Sequence, residues 1–223
     1  MDKNKLMSVA VVLIVVLLVS SALAAFFILS SGNKKPPQTQ ALVACVGDSI
    51  TQSTAYPYDL WMLLGTTHYV VENFGAGSTT VSLESQTPYM NTTVFQNALA
   101  SEPNIVIIML GTNDAQPSLL RYNASFVSDY VKLVDAFSAL KSNPKIWLVF
   151  PPPIFSNQSG RLDPGYFNDS IIPGIRQVAN ETGLPTINVY SALANYSGDF
   201  PDGEHPNDAA AQIIANTVYS AIT

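Results

Sequence analysis

The sequence predicts a three-layer α/β/α domain, with a five-stranded parallel sheet and helices on both faces, and three observations carry that expectation. Apolar runs of strand length alternate with amphipathic helical patterns from residue 41 to the end. The middle run, Ile105-Val106-Ile107-Ile108-Met109-Leu110, is apolar at every position, as in a strand covered on both faces. Small and polar residues follow the first three runs directly, where a parallel sheet places its ligand crevice.

The first element stands apart from that domain. Leu6 to Leu29 is 24 residues without a charge, and about 20 apolar residues suffice to cross a bilayer as a helix. Residues 1–29 are therefore expected to be a signal anchor with a transmembrane span at 6–29. The other reading is a signal peptide cleaved near Ala22-Leu23-Ala24. The apolar run continues through Phe26-Phe27-Ile28-Leu29, longer than a signal-peptide core needs, which favours the anchor. Residues 30–40, with Ser30-Ser31-Gly32, Lys34-Lys35 and Pro36-Pro37, read as a polar tether. The remaining residues, 41–223, suit one domain with a sizeable core.

Strands are expected at Ala41–Val46, His68–Phe74, Asn104–Leu110, Lys145–Phe150 and Leu184–Val189. Helices are expected at Tyr58–Leu64, Thr93–Ala100, Ser125–Leu140, Asp169–Thr182 and Asn207–Ile222. The clearest is the third, where Val127, Tyr130, Val131, Val134, Phe137 and Leu140 recur at three- and four-residue spacing and form one face.

Composition excludes several function classes. Beyond residue 36 there are 6 Lys or Arg against 15 Asp or Glu, a formal charge of −9, and no basic patch suits nucleic acid. Cys45 is the single cysteine, so neither an internal disulfide nor a thiolate zinc cluster can form. It lies in an apolar run and reads as a small buried hydrophobe. Six Asn-x-Ser/Thr sequons, at Asn91, Asn123, Asn157, Asn168, Asn180 and Asn195, lean towards a domain outside the cell, membrane-anchored or secreted, with glycans at some of these sites.

The chemistry-bearing residues cluster at the expected strand ends. Ser49 follows the first strand within Val46-Gly47-Asp48-Ser49-Ile50, and near the other end of the chain Asp202 and His205 stand three residues apart before the last helix. A serine hydroxyl is a weak nucleophile until a histidine oriented by a carboxylate removes its proton, and these three residues can supply that relay. Asn113, after the third strand, can donate a side-chain N–H to an oxyanion, as can the backbone of Ser49 and of the turn Gly75-Ala76-Gly77-Ser78. Asp48 reads as a turn brace and Asp114 as a cap. His68, the rival base, has no acid three residues away. Tyr56, Tyr58 and Trp61 are candidates for a pocket mouth or for the core.

In their order these blocks, Gly47-Asp48-Ser49-Ile50, Asn73-Phe74-Gly75-Ala76-Gly77, Gly111-Thr112-Asn113-Asp114 and Asp202-Gly203-Glu204-His205-Pro206, closely resemble those of the SGNH, or GDSL-type, hydrolases. The resemblance spans residues 41 to 222 and implies a flavodoxin-like SGNH fold. It implies Ser49 as nucleophile, His205 as base, Asp202 as its orienting acid and Asn113 as an oxyanion donor. Aligned without a gap, the family's second-block oxyanion glycine falls on Ser78; sliding by one residue puts it on Gly77. Tyr89 after Pro88, Ala115-Gln116-Pro117 and Pro151-Pro152-Pro153 look most like the sialate O-acetylesterase-like branch, which implies an acetyl ester of a carbohydrate as substrate, with neither metal nor cofactor. Two other functions stay open: a lysophospholipase, thioesterase or acyltransferase near the membrane, and a non-catalytic glycan-binding module on the same fold.

Overall fold

Strands β1 (Ala41–Gly47), β2 (Tyr69–Gly75), β3 (Ile105–Met109), β4 (Lys145–Phe150) and β5 (Thr186–Asn188) form one sheet in the order β2-β1-β3-β4-β5, every adjacent pair parallel. The structure, a computed structural model, describes residues 40–119, 125–156 and 161–223. All five strands lie within two residues of their expected bounds. The order is that of a flavodoxin-like sheet, in which the chain moves outward from β1 to β2 and then returns to β3 on β1's other side.

Because side chains alternate across a strand, a sheet covered twice must be apolar in both registers. Ala44, Val46, Val106, Ile108 and Leu148 face one core with Phe95, Tyr130, Phe137 and Ile175. Val43, Cys45, Ile107, Met109 and Val149 face the other with Leu60, Ile187, Ile214 and Val218. The first layer holds α3 (Thr93–Ala100), α4 (Phe126–Ser138) and α5 (Ile172–Thr182); the second holds α2 (Tyr56–Leu64), α6 (Val189–Leu193) and α7 (Asp208–Ile222). Helix α2 packs along α7, which brings the chain's last helix beside its first crossover.

Three elements differ from expectation. Helix α1 (Ser49–Ser53) and α6 are five-residue helices, too short to leave a 3.6-residue pattern. The helix expected from Asp169 starts earlier, as a turn at Pro164–Tyr166, and passes through a π-helical stretch at Phe167–Ile171 before α5. Pro173 lacks the N–H that would bond the Asp169 carbonyl, and a wider turn accommodates the missing bond.

The expected membrane span at 6–29 and all of the tether expected at 30–40 except Gln40 lie outside the described residues. Among the described residues, no helix is long and apolar enough to cross a membrane. Asn91, Asn168, Asn180 and Asn195 are exposed; Asn123 and Asn157 also lie outside the described residues.

Cys45 is fully buried against Tyr56, and burial pushes its thiol up to about 12 despite a hydrogen bond with that tyrosine. A thiolate is the reactive form, so the folded protein shields this group twice. A disulfide-exchange reagent is expected to label Cys45 only at the rate of unfolding, with full labelling in denaturant; rapid labelling of the native protein would contradict this packing.

Candidate active site

The site begins where β1 stops. Gly47 is the last strand residue, and a Cβ there would run into the Thr51 side chain and the Met109 carbonyl; at Gly75 it would strike the Gln52 backbone nitrogen. These two glycines let α1 lie directly across the ends of β1 and β2. Asp48 caps α1, its Oδ1 accepting from the Ile50 amide at 3.0 Å. Asn73 ties β2 to the same helix, Nδ2 donating to the Thr51 carbonyl at 2.8 Å. Ser49 is thus held as the first residue of α1, where a helix amide has no intrahelical acceptor.

From the other end of the chain, the turn before α7 brings Asp202 and His205 to Ser49. His205 Nε2 lies 2.9 Å from Ser49 Oγ, and His205 Nδ1 lies 2.7 Å from Asp202 Oδ2. Asp202 Oδ1 accepts from the amides of Glu204 at 2.9 Å and His205 at 2.7 Å. Burial alone would raise this carboxyl, but those amides and the imidazole outweigh it and hold Asp202 at about 2. An ionised carboxylate only accepts, so the proton sits on Nδ1 and the Nε2 lone pair faces the serine hydroxyl. Gly203, at φ 81°, makes the turn possible, and Asn207 caps α7 by accepting from the Ala210 amide at 3.1 Å.

Asn113 lies in the short helix Thr112–Ala115 after β3 and is wholly buried. Its Nδ2 donates one hydrogen to the Thr79 carbonyl at 3.1 Å, the other meeting no acceptor among the described residues, and its Oδ1 accepts from Arg161 Nη1 at 2.9 Å. Arg161 Nη2 pairs in turn with Glu204 Oε1. Among the described residues, neither the Gly77 nor the Ser78 amide donates to a protein acceptor. Ser78 sits at φ 60°, a left-handed conformation that costs an L-residue roughly 1–2 kcal/mol and glycine almost nothing. At Gly77 an added Cβ would meet Gln52 Oε1 at 2.7 Å.

A further carboxylate braces the site. Asp114 does not cap its own turn, as the sequence suggested: its oxygens accept from the Val81 and Ser82 amides, both at 2.9 Å. It therefore clamps the loop that carries Ser78 to the strand end that carries Asn113. Burial, opposed by those two bonds, pushes Asp114 up to about 7. Its partners are more than 30 positions upstream, so no local pattern announces them. Arg161 and Glu204 also escaped the sequence reading; the one available signal was a glutamate inside the Asp-Gly-Glu-His block.

His68 lies at the amino end of the sheet, where its carbonyl accepts from the Ala41 amide, remote from the strand ends that bear Ser49. Tyr56 is core, Trp61 donates its Nε1 hydrogen to the Tyr69 carbonyl at 2.8 Å, and Tyr58 is exposed. A cavity of about 400 Å³ opens beside Ser78, walled by Arg161, Glu84, Gln86, Thr87, Gln116 and Leu119 among the described residues.

Asp48 gives a pH-dependent test of this packing. Burial is the main cause that pushes its carboxyl up to about 6, with the Ile50 amide opposing and the Glu204 charge reinforcing; its Oδ2 is buried beside the Thr112 hydroxyl. The folded protein thus keeps a proton that the unfolded chain loses near 3.8. The resulting stability is complete below about pH 4 and is lost as pH rises through about 6. Asp48→Asn retains an acceptor for Ile50 and does not titrate. Relative to wild type it should gain up to about 3 kcal/mol between pH 4 and pH 8, measured by denaturant unfolding; a pH-independent difference would contradict the buried carboxyl.

Comparison with known proteins places this geometry in a family. Residues 45–213 match the GDSL-like lipase/acylhydrolase family. An acetylxylan esterase from Xylanibacter ruminicola is 33% identical over 207 residues, covering 81% of this chain, while the chain spans 42% of that relative's length. Among solved structures, a carbohydrate acetylesterase from Sinorhizobium meliloti aligns with a TM-score of 0.67 at 21% identity, covering 82% of this chain and 98% of its own. A lipase/acylhydrolase from Enterococcus faecalis aligns with a TM-score of 0.67 at 21% identity, over 82% and 95% of the two chains. An acetylxylan esterase from Geobacillus stearothermophilus, a catalytic mutant, aligns at 0.64 and 19% identity, again over 82% and 95%. The structural likenesses show the shared fold, and the family match covers most of the chain: it belongs to the GDSL-like lipase/acylhydrolase, or SGNH hydrolase, family.

Proposed function

We propose that the domain removes an acetyl group from a carbohydrate ester through a Ser49–His205–Asp202 relay and an acyl-enzyme. The observation that carries the reading is the unbroken hydrogen-bonded chain from Ser49 Oγ through the imidazole to Asp202, at 2.9 and 2.7 Å. In the forward step Ser49 Oγ attacks the acetyl carbonyl while His205 Nε2 takes its proton. The oxyanion meets the free Asn113 N–H and the amides of Ser49 and of Ser78 or Gly77. Losing one such donor typically costs about 3 kcal/mol of barrier. As the tetrahedral species collapses, the bond to the sugar oxygen breaks and His205 returns the proton to that oxygen. Water, deprotonated by His205, then attacks the acetyl-serine; as the bond to Ser49 Oγ breaks, His205 returns the proton to that oxygen and acetate leaves.

A sugar substrate is supported by the cavity beside Ser78, where Arg161, Glu84, Gln86, Thr87 and Gln116 offer hydrogen-bonding partners for hydroxyl groups. The acetylxylan esterase relative points the same way. The same proposal places the domain on the outer membrane face or in secreted form, supported by the uncharged segment 6–29 and by exposed sequons at Asn91, Asn168, Asn180 and Asn195.

The test is acetate release from acetylated xylo-oligosaccharides, alongside p-nitrophenyl acetate, butyrate and octanoate. Turnover of the acetylated sugar and of p-nitrophenyl acetate is expected, with Ser49→Ala and His205→Ala each lowering kcat about 10⁴-fold or more. Preference for octanoate with no release from sugar would replace the carbohydrate reading by a lipid one. Glycan binding without turnover of any ester would make the domain a binding module.

A further inference from the structure

We infer that Arg161 is a positioning residue for the oxyanion hole, locking the Asn113 carboxamide in the orientation that turns its free N–H toward the reacting carbonyl; the inference rests on the esterase reading above. Two contacts set that orientation from opposite sides. The Thr79 carbonyl can only accept, so it selects the amide nitrogen at 3.1 Å, and the guanidinium can only donate, so it selects the amide oxygen at 2.9 Å. A flipped carboxamide would face oxygen to carbonyl and nitrogen to guanidinium, two repulsive contacts around a fully buried Asn113. Polarised by a cation at its oxygen, the amide is also a better N–H donor.

Glu204 explains why the clamp is an arginine. Its carboxylate, nearly buried, binds the second arm of the guanidinium, so one rigid fork spans Asn113 and the turn that carries His205. Glu204 Oε1 is also 3.8 Å from His205 Nε2, and the guanidinium balances that negative charge beside the base. Arg161 thereby joins the oxyanion side of the site to the proton-transfer side. A lysine, with one point charge in place of a fork, cannot make both contacts in this geometry.

The test is a double-mutant cycle on the full chain, with p-nitrophenyl acetate as substrate. Arg161→Ala should lower kcat about 10- to 100-fold with KM changed less than about threefold, because the lost donor acts in the transition state. In an Asn113→Ala background the same change should cost less than about threefold, since the group it positions is gone. Arg161→Lys should recover only part of the loss. A full independent loss in the Asn113→Ala background, or an unchanged kcat, would overturn the inference. Should Arg161→Ala fail to fold, Arg161→Lys is read by the same two criteria. A wild type that turns over no ester sinks the esterase reading and this inference together; an active wild type insensitive to Arg161 sinks this inference alone.

Discussion

The register of three parallel strands is the constraint from which the site follows. Gly47 of β1 lies opposite Gly75 of β2 and Met109 of β3, so the chain leaves the sheet at one level in all three places. The segments that follow, with Ser49, with Gly77 and Ser78, and with Asn113, must therefore share a crevice. That register is held because the sheet is buried on both faces: a slip of one residue would exchange the inward sets of β1 and β3 between two differently shaped cores. His205 reaches the crevice by another route, on the turn ahead of α7, whose position is fixed by packing against α2. The distance between Ser49 and His205, 156 positions apart in sequence, is thus a consequence of core packing.

Four acidic residues near the crevice show how environment divides roles among like groups. Asp202, half-exposed and bonded to two amides and the imidazole, stays ionised and fixes the orientation of the His205 ring. Asp48 and Asp114 are fully buried, are pushed up by that burial, and bind backbone amides, which suits bracing rather than proton transfer. Glu204 is nearly buried too, but an arginine balances it. Asp48 and Asp114 brace the backbone, Glu204 engages Arg161, and only Asp202 carries the imidazole in the geometry a serine nucleophile needs.

Ser49, Asn113, Asp202 and His205 were legible in the sequence because each sits in a short block at the end of a strand or the start of a helix, where periodicity breaks. The strands were legible for a related reason: a doubly covered sheet writes unbroken apolar runs. What escaped is long-range or too short to show a period. Asp114 reads locally as a cap, yet its partners are Val81 and Ser82. Arg161 carries no local motif, and its meaning comes from Asn113 and Glu204, 48 and 43 positions away. Helix α1 lasts barely more than one turn. Gly77 and Ser78 stay side by side as candidates: Ser78 has φ 60°, and a Cβ at Gly77 would meet the Gln52 side chain at 2.7 Å.

In the proposed reaction Ser49 attacks and Asn113, with the turn at Gly77 and Ser78, receives the oxyanion. The most direct measurement is a crystal structure of the protein after reaction with a fluorophosphonate. The account predicts a single adduct on Ser49 Oγ, with one phosphonyl oxygen within hydrogen-bond distance of Asn113 Nδ2 and of a backbone amide at Gly77 or Ser78. No adduct on Ser49, or a phosphonyl oxygen turned away from Asn113, would contradict it.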